Sequence, residues 1–220
     1  MVNVPEDLKI RAAAAPLRPA ITTLRWRDAV LAAGLGLSCC TAAGPNPADS
    51  PAGQVTVAPG IVYCLPSPAA LERSVEAFQL ITVRHGYDTF AFETRISVTP
   101  ARVLVVGIDM LGRRAMTIEW TGGNLKVEAA PWVPPQLRAR NVIADIMMLH
   151  WPAAAVQAGL KPGTTMRDTD PAHRVIVADG RDMISIDRIA GVPGSWSGQW
   201  TYRNVGWGYD LDIQSAEEVL

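Results

Sequence analysis

Cysteine is scarce: three residues in 220 cannot build a disulfide scaffold. An excess of either charge is also missing. Lys+Arg is 20 and Asp+Glu is 21, for a net charge of −1, so the strongly basic balance of a nucleic-acid-binding domain is absent. No run reaches the roughly 20 apolar residues that a spanning helix needs. Reactive motifs are thin as well. His85, His150 and His173 are scattered, with no Cys or carboxylate at metal-ligand spacing. Gly194-Ser195-Trp196-Ser197-Gly198 puts Trp196 where a nucleophile elbow needs serine. No glycine-rich phosphate loop follows a strand and opens a helix. No cofactor and no enzymatic activity are therefore expected. What is present is 49% apolar and 19% charged residues, the composition of a folded globular chain.

The first feature of note is Ala29 to Leu37, an uncharged apolar stretch preceded by Arg25 and Arg27 and followed by Ser38, Cys39 and Cys40. A basic flank, a short apolar run and small residues behind it form an export signal. The alternative is a cysteine pair at the end of an ordinary buried helix. Leu37-Ser38-Cys39-Cys40 resembles the bacterial lipobox, in which the last cysteine is acylated and becomes the first mature residue. The resemblance implies Cys40 as the lipid attachment site and residues 1–39 as a signal peptide. Thr41, where an Asp would mark retention, resembles the outer-membrane-directed class. Several acyl chains on one residue suffice for stable attachment without a membrane helix. The implied location is the periplasmic side of the outer membrane. Cys64, left alone, is expected as a small buried hydrophobe.

Residues 40–60 are rich in Ala, Pro and Gly and nearly uncharged, which reads as a flexible tether. The domain is expected over residues 61–220. Phe90, Phe92, Thr94, Ile96 and Val98 alternate with more polar residues, a strand with one buried face. Val103 to Leu111, Ala115 to Trp120 and Leu125 to Ala130 continue the pattern, with a hairpin signal at Thr121-Gly122-Gly123-Asn124. Asn141 is an expected N-cap for a helix through His150, and Pro152 opens a second one, Ala153 to Leu160. Strands return at Arg174 to Ala178 and Met183 to Ala190 around Asp179-Gly180. A last long strand is expected from Trp200 to Ile213. The fold class is mainly β (α+β): five strands, two short helices, then three or more strands, in one strongly curved antiparallel sheet.

This order of elements is similar to the LolA/LolB lipoprotein-carrier superfamily. Leu104 to Trp120, Pro131-Trp132-Val133-Pro134, Asn141 to Ile146 and Trp151-Pro152 resemble one branch of it. That branch is a bacterial lipoprotein family built on a domain of unknown function and often associated with aryl-polyene or related lipid-pathway gene clusters. The resemblance implies an incomplete barrel with the two helices as a lid over an apolar cavity. It also implies an acyl chain or lipoprotein as cargo.

The residues expected to line such a cavity are Val142, Ile146, Met147, Leu149 and Trp151 from the helical region, with Trp207 and Tyr209 from the last strand. Met and aromatic side chains adapt to irregular apolar ligands. Ordinary core packing explains the same residues, since an amphipathic helix must bury a stripe somewhere. Three functions follow: a lipid-anchored protein that binds or helps transfer acylated cargo, an assembly lipoprotein that binds a protein partner with a filled core, and a hydrolase on another β-rich fold.

Overall fold

The computed structural model describes residues 53–134, 137–170 and 172–218. Cys39, Cys40, the signal peptide and the first part of the tether lie outside the described residues. The folded domain begins before residue 61, inside the stretch expected as a tether. Gln54–Ala58 is strand β1, and it pairs antiparallel with β2, Ile61–Cys64. Val55, Val57 and Ala58 are buried in the core, so this segment belongs to the folded domain.

Five strands follow as a meander: β3 (Val75–His85), β4 (Asp88–Thr99), β5 (Arg102–Asp109), β6 (Arg114–Trp120) and β7 (Leu125–Ala129). Helices α1 (Ala139–His150) and α2 (Ala153–Gly159) come next. A second meander completes the chain: β8 (Thr164–Asp170), β9 (His173–Ala178), β10 (Arg181–Gly191), β11 (Gly198–Asn204) and β12 (Tyr209–Glu218). The two meanders join where β12 pairs with β3, from Tyr209 opposite His85 to Glu218 opposite Glu76. The result is one antiparallel sheet of ten strands in the order β7-β6-β5-β4-β3-β12-β11-β10-β9-β8. Its edges, β7 and β8, are not paired with each other, so it is an unclosed barrel.

Local sequence explains most of these elements. On β4, Phe92, Thr94, Ile96 and Val98 face the core, while Glu93 and Arg95 face water. Asp179 and Gly180 both adopt positive φ (51° and 71°). This is the two-residue turn whose twist matches the β9–β10 hairpin. Asp109 ends β5 two residues before the expected limit. Its carboxylate accepts from the Leu111 and Arg113 amides at 3.0 and 2.8 Å and turns the chain, leaving Met110 and Leu111 exposed.

Two expectations are corrected. The single strand from Trp200 to Ile213 is a hairpin, β11–β12. The buried Asn204 accepts from the Trp207 amide at 3.0 Å and donates to the Val57 carbonyl at 2.8 Å, so the chain reverses there. Gly206 fits beneath Ala58 only because it lacks a side chain, as a Cβ would lie 2.6 Å from the Ala58 Cβ. Val205 and Trp207 therefore sit in a turn, not on a strand face. Asn141 does not cap α1, which begins two residues earlier at Ala139. Its amide instead donates to the Thr56 carbonyl of β1 at 3.2 Å.

Helix α1 is interior. Residues Asn141 to Met148 are all buried, as expected of a helix that is apolar nearly all round. It runs along β3, with His150 beside Gln79. It packs against β1, β6 and β7. From the far side of the sheet, Arg174 of β9 donates to the last carbonyls of the helix at Met148 and, at 3.1 Å, Trp151. A helix is about 10–12 Å wide. In a flat sheet, β6 and β9 would lie about 34 Å apart at ~4.8 Å per strand. The sheet must therefore curl around the helix. The expected two-helix lid is not formed. α1 fills the inside of the curl, and α2 packs against β8 with its Gly159 pressed on the Cys64 carbonyl and the Tyr63 ring of β2.

Arg174 is the charged link between the second meander and the C-terminus of α1, where cations are favoured, and Asp168 pairs with it at 2.9 Å. Replacing Arg174 with Met is expected to cost about 1.5–3 kcal/mol, the usual worth of charge-assisted hydrogen bonds. Urea unfolding of the two proteins measures it.

Candidate functional site: an apolar cavity beside α1

Between α1 and the central strands lies a cavity of about 240 Å³. Alternate residues of β3 form its floor: Gln79, Ile81, Val83 and His85. Because side chains alternate across a strand, these four face one way, while Glu76, Leu80 and Arg84 face the other. Phe90 and Phe92 flank them from β4, and Leu211 and Ile213 from β12. α1 supplies Val142, Asp145, Ile146 and Leu149, one stripe at helical spacing, together with Asn141. The walls thus come from both meanders and the helix between them.

The cavity has a direction. At one end His85, Phe90, Leu137, Arg138 and Trp207 are partly or fully exposed and form a mouth. At the other, Gln79 and Ile213 are buried, and His150 stacks on Trp196 with ring centroids 3.8 Å apart. Glu217 lies behind that end and ties Trp196 to Arg73. It accepts from the Trp196 amide at 2.9 Å and pairs with Arg73 at 2.8 Å. Burial alone would raise the Glu217 carboxyl, but these donors outweigh it and hold it below its usual value. At the mouth the Arg138 guanidinium lies over the Trp207 ring, 3.7 Å from its centroid. No carboxylate among the described residues pairs with Arg138.

One carboxyl lies in the wall. Asp145 accepts from the Tyr202 hydroxyl at 2.6 Å and from the Tyr209 hydroxyl at 2.7 Å, and these two rings stack on each other. Burial pushes Asp145 up to about 7, against the pull of the two hydroxyls. Burial also holds both tyrosines well above their ordinary value, so they stay neutral. His150 is driven well below its ordinary value, first by burial and then by Arg188, Arg174 and Arg73. It is a neutral ring inside the fold, not the dipole-facing cation suggested by its place at a helix C-terminus.

Of the residues expected in the cavity, Val142, Ile146, Leu149, Trp207 and Tyr209 line it. Met147 and Trp151 do not. They point to the opposite side of α1 and are fully buried in the core. Trp151 donates to the Ser67 carbonyl at 3.4 Å and sits edge-on to Trp196. The aromatic residues of the C-terminal region divide in three: Trp196 and Trp200 around His150, Tyr202 and Tyr209 on Asp145, and Trp207 at the mouth. Sequence reasoning passed over β3. The usable signal there was Gln79, a polar residue in step with Ala77, Ile81 and Val83. Asp145, one carboxylate in the apolar stretch Val142 to Leu149, was a second.

Since folding raises the Asp145 carboxyl from its ordinary 3.8 to about 7, the folded chain binds a proton that the unfolded chain releases between those values. This contribution to stability is therefore full below pH 4 and is lost as pH rises toward 7. Asp145→Asn is expected to remove that pH dependence. The stability difference between variant and parent should move in the variant's favour by a few kcal/mol across this window, read by urea unfolding at each pH.

Comparison with known proteins gives a family and two distant structural likenesses. No curated protein matches the chain. A LolA superfamily protein from Nitrosomonas europaea is similar at a TM-score of 0.39 and 7% identity, over 70% of this chain and 94% of that one. A DUF1329 family protein from Desulfovibrio piger is similar at 0.34 and 8%, over 68% and 87%. Superpositions this loose carry no argument about function. The family match spans residues 76–217, from the start of β3 to the end of β12, and so takes in both meanders, α1 and the whole cavity. By that match the chain belongs to the family described as protein of unknown function DUF3261.

Proposed function

We propose that the chain is a non-catalytic, lipid-anchored protein on the periplasmic side of the outer membrane. In this reading its cavity holds an acyl chain of a lipid or lipoprotein and helps pass it on. The observation that carries it is the 240 Å³ space walled by Ile81, Val83, Phe92, Val142, Ile146 and Leu211. Carrying an acyl chain through water requires an apolar interior, at about 0.8 kcal/mol per buried CH₂. The volume falls just below the ~300–1,000 Å³ of drug-sized pockets, which suits part of one chain and not several. Arg138, fixed on Trp207 at the mouth without a carboxylate partner among the described residues, suits an anionic group at the end that stays outside.

An assembly protein that only docks a partner has no use for an unfilled interior, so the cavity favours cargo over that alternative. A hydrolase would need a base free to act. Both oxygens of Asp145 are occupied by tyrosine hydroxyls, which suits a wall more than a reacting centre. Anchoring rests on the sequence Leu37-Ser38-Cys39-Cys40.

Two outcomes are expected. Saturated alkanoic acids titrated against the full chain, by displacement of a fluorescent fatty acid, should gain roughly fourfold in affinity per CH₂ until the cavity is full. Val142→Phe should cost tenfold or more in Kd while keeping a cooperative melt. Flat affinity across the series would refute the cargo reading. Cys40→Ser, expressed in a bacterial host with radiolabelled palmitate, should lose both the label and the membrane fraction. If the variant fractionates like its parent, the anchor is wrong.

A further inference from the structure

One carboxyl stands in the cavity wall with no cation against it. Asp145 lies in the stripe of α1 that faces the cavity, with Val142, Ile146 and Leu149, and is 8% exposed. Its oxygens accept from two uncharged hydroxyls, Tyr202 of β11 and Tyr209 of β12. No ion pair among the described residues includes it. The facing wall is apolar on β4 and, on β3, apolar except for Gln79 and His85. On its own helix, Arg138 lies about 10 Å nearer the mouth, at ~1.5 Å per residue. β1 carries no charged residue. Strand alternation puts Arg203 and Asp210 of β11 and β12, and Arg114, Glu119, Lys126 and Glu128 of β6 and β7, on the outer side of the sheet. His150 and Arg174 belong to the far end of the helix.

An apolar chain that fills the cavity puts CH₂ groups against the open side of this carboxyl. Burial disfavours the charged form, so a filled cavity holds Asp145 neutral more firmly than an open one. An anionic group at the mouth, beside Arg138, acts in the same direction, because a like charge also disfavours the carboxylate. The fold alone already pushes Asp145 up to about 7, so both of its forms are populated near neutral pH and a further rise changes which one prevails.

We infer that entry of an apolar chain into the cavity is coupled to uptake of a proton by Asp145, so that the protein loads best with this wall residue neutral and releases its cargo more readily as the medium becomes alkaline. The inference rests on the cargo reading and adds to it a condition for loading. The proton comes from solvent and returns there on release, while both tyrosines stay neutral throughout. The coupling is reciprocal: a proton strengthens binding of the chain by the same factor by which the chain strengthens binding of the proton.

The test titrates the full chain with decanol, which has no titratable group, by isothermal calorimetry at about pH 6 and about pH 8.5. One further unit on Asp145 when the cavity fills is worth tenfold between its two forms, so decanol is expected to bind roughly tenfold more weakly at the higher pH. Asp145→Asn should give the same Kd at both. His85→Gln, whatever it does to affinity, should keep the dependence. Equal affinity of the parent protein at the two pH values overturns the inference and leaves the cargo reading standing. So does a dependence that survives in Asp145→Asn or disappears in His85→Gln. If Asp145→Asn fails to fold, calorimetry of His85→Gln in buffers of different ionisation heat counts the protons. About half a proton taken up per decanol near pH ~7.5 supports the inference, and none overturns it. If decanol fails where decanoic acid binds, the same comparison is read with the acid, which is ionised at both pH values. Binding of neither overturns both the inference and the cargo reading.

Discussion

The structure depends on one pairing, that of β12 with β3. Each meander is local: β3 to β7 and β8 to β12 are built from neighbouring hairpins whose turns are written in the nearby sequence. The β12–β3 ladder is not local, since it unites the start and the end of the domain over ten residue pairs. Without it there would be two five-stranded sheets, each exposing an apolar face. With it there is a single sheet wide enough to bend around a helix. The cavity straddles this seam, since Ile81 and Val83 come from one side and Leu211 and Ile213 from the other.

Helix α1 needs that enclosure. A helix with eight consecutive buried residues has no stable place on a surface. Its polar groups are each met by a different part of the fold: Asn141 by β1, Asp145 by tyrosines of β11 and β12, and the C-terminal carbonyls by Arg174 of β9. These contacts fix the helix at several points around its circumference. They hold it against the first hairpin and the far strands, while toward β3 it makes contact at its C-terminal His150, and the cavity is the gap left along the rest of that side. A core that relied on apolar contact alone could collapse to fill the space, because such contact has no directional demand. Directional hydrogen bonds from three sides resist that collapse.

The two ends of the gap differ in kind. The mouth carries a cation stacked on an indole, with exposed Phe90 beside it. The inner end carries the Gln79 amide beside a histidine kept uncharged by burial and by three arginines. Asp145 stands between them, its carboxyl pushed up to about 7 by burial.

The strand and helix content was legible because it follows from short-range rules. The alternation from Phe92 to Val98, the Asp179-Gly180 turn and the Pro152 break between helices each depend on residues that are neighbours in the chain. The reversal at Asn204 has a local part, the bond from the Trp207 amide, but the contact that holds Asn204 inside the fold is with Val57, 147 positions away, and that was not legible. The boundary at Gln54 was missed for the same reason: Val55 and Val57 look like tether residues until a helix and a distant hairpin cover them. Val142, Ile146 and Leu149 share the cavity-facing stripe of α1, which helical periodicity shows, whereas Trp207 lines the cavity from a turn that periodicity did not show. Met147 and Trp151 were misplaced because periodicity does not say whether a buried side chain meets packed atoms or a void. The sequence by itself determined that this is a β-rich domain with an apolar helix pair in its middle and no reactive motif, because backbone preference and side-chain period act within a few residues. Only the tertiary structure decided that a cavity exists, which end of it is open and that Gln79 meets His150 at the other, because those facts depend on distances between segments that the chain brings together only on folding.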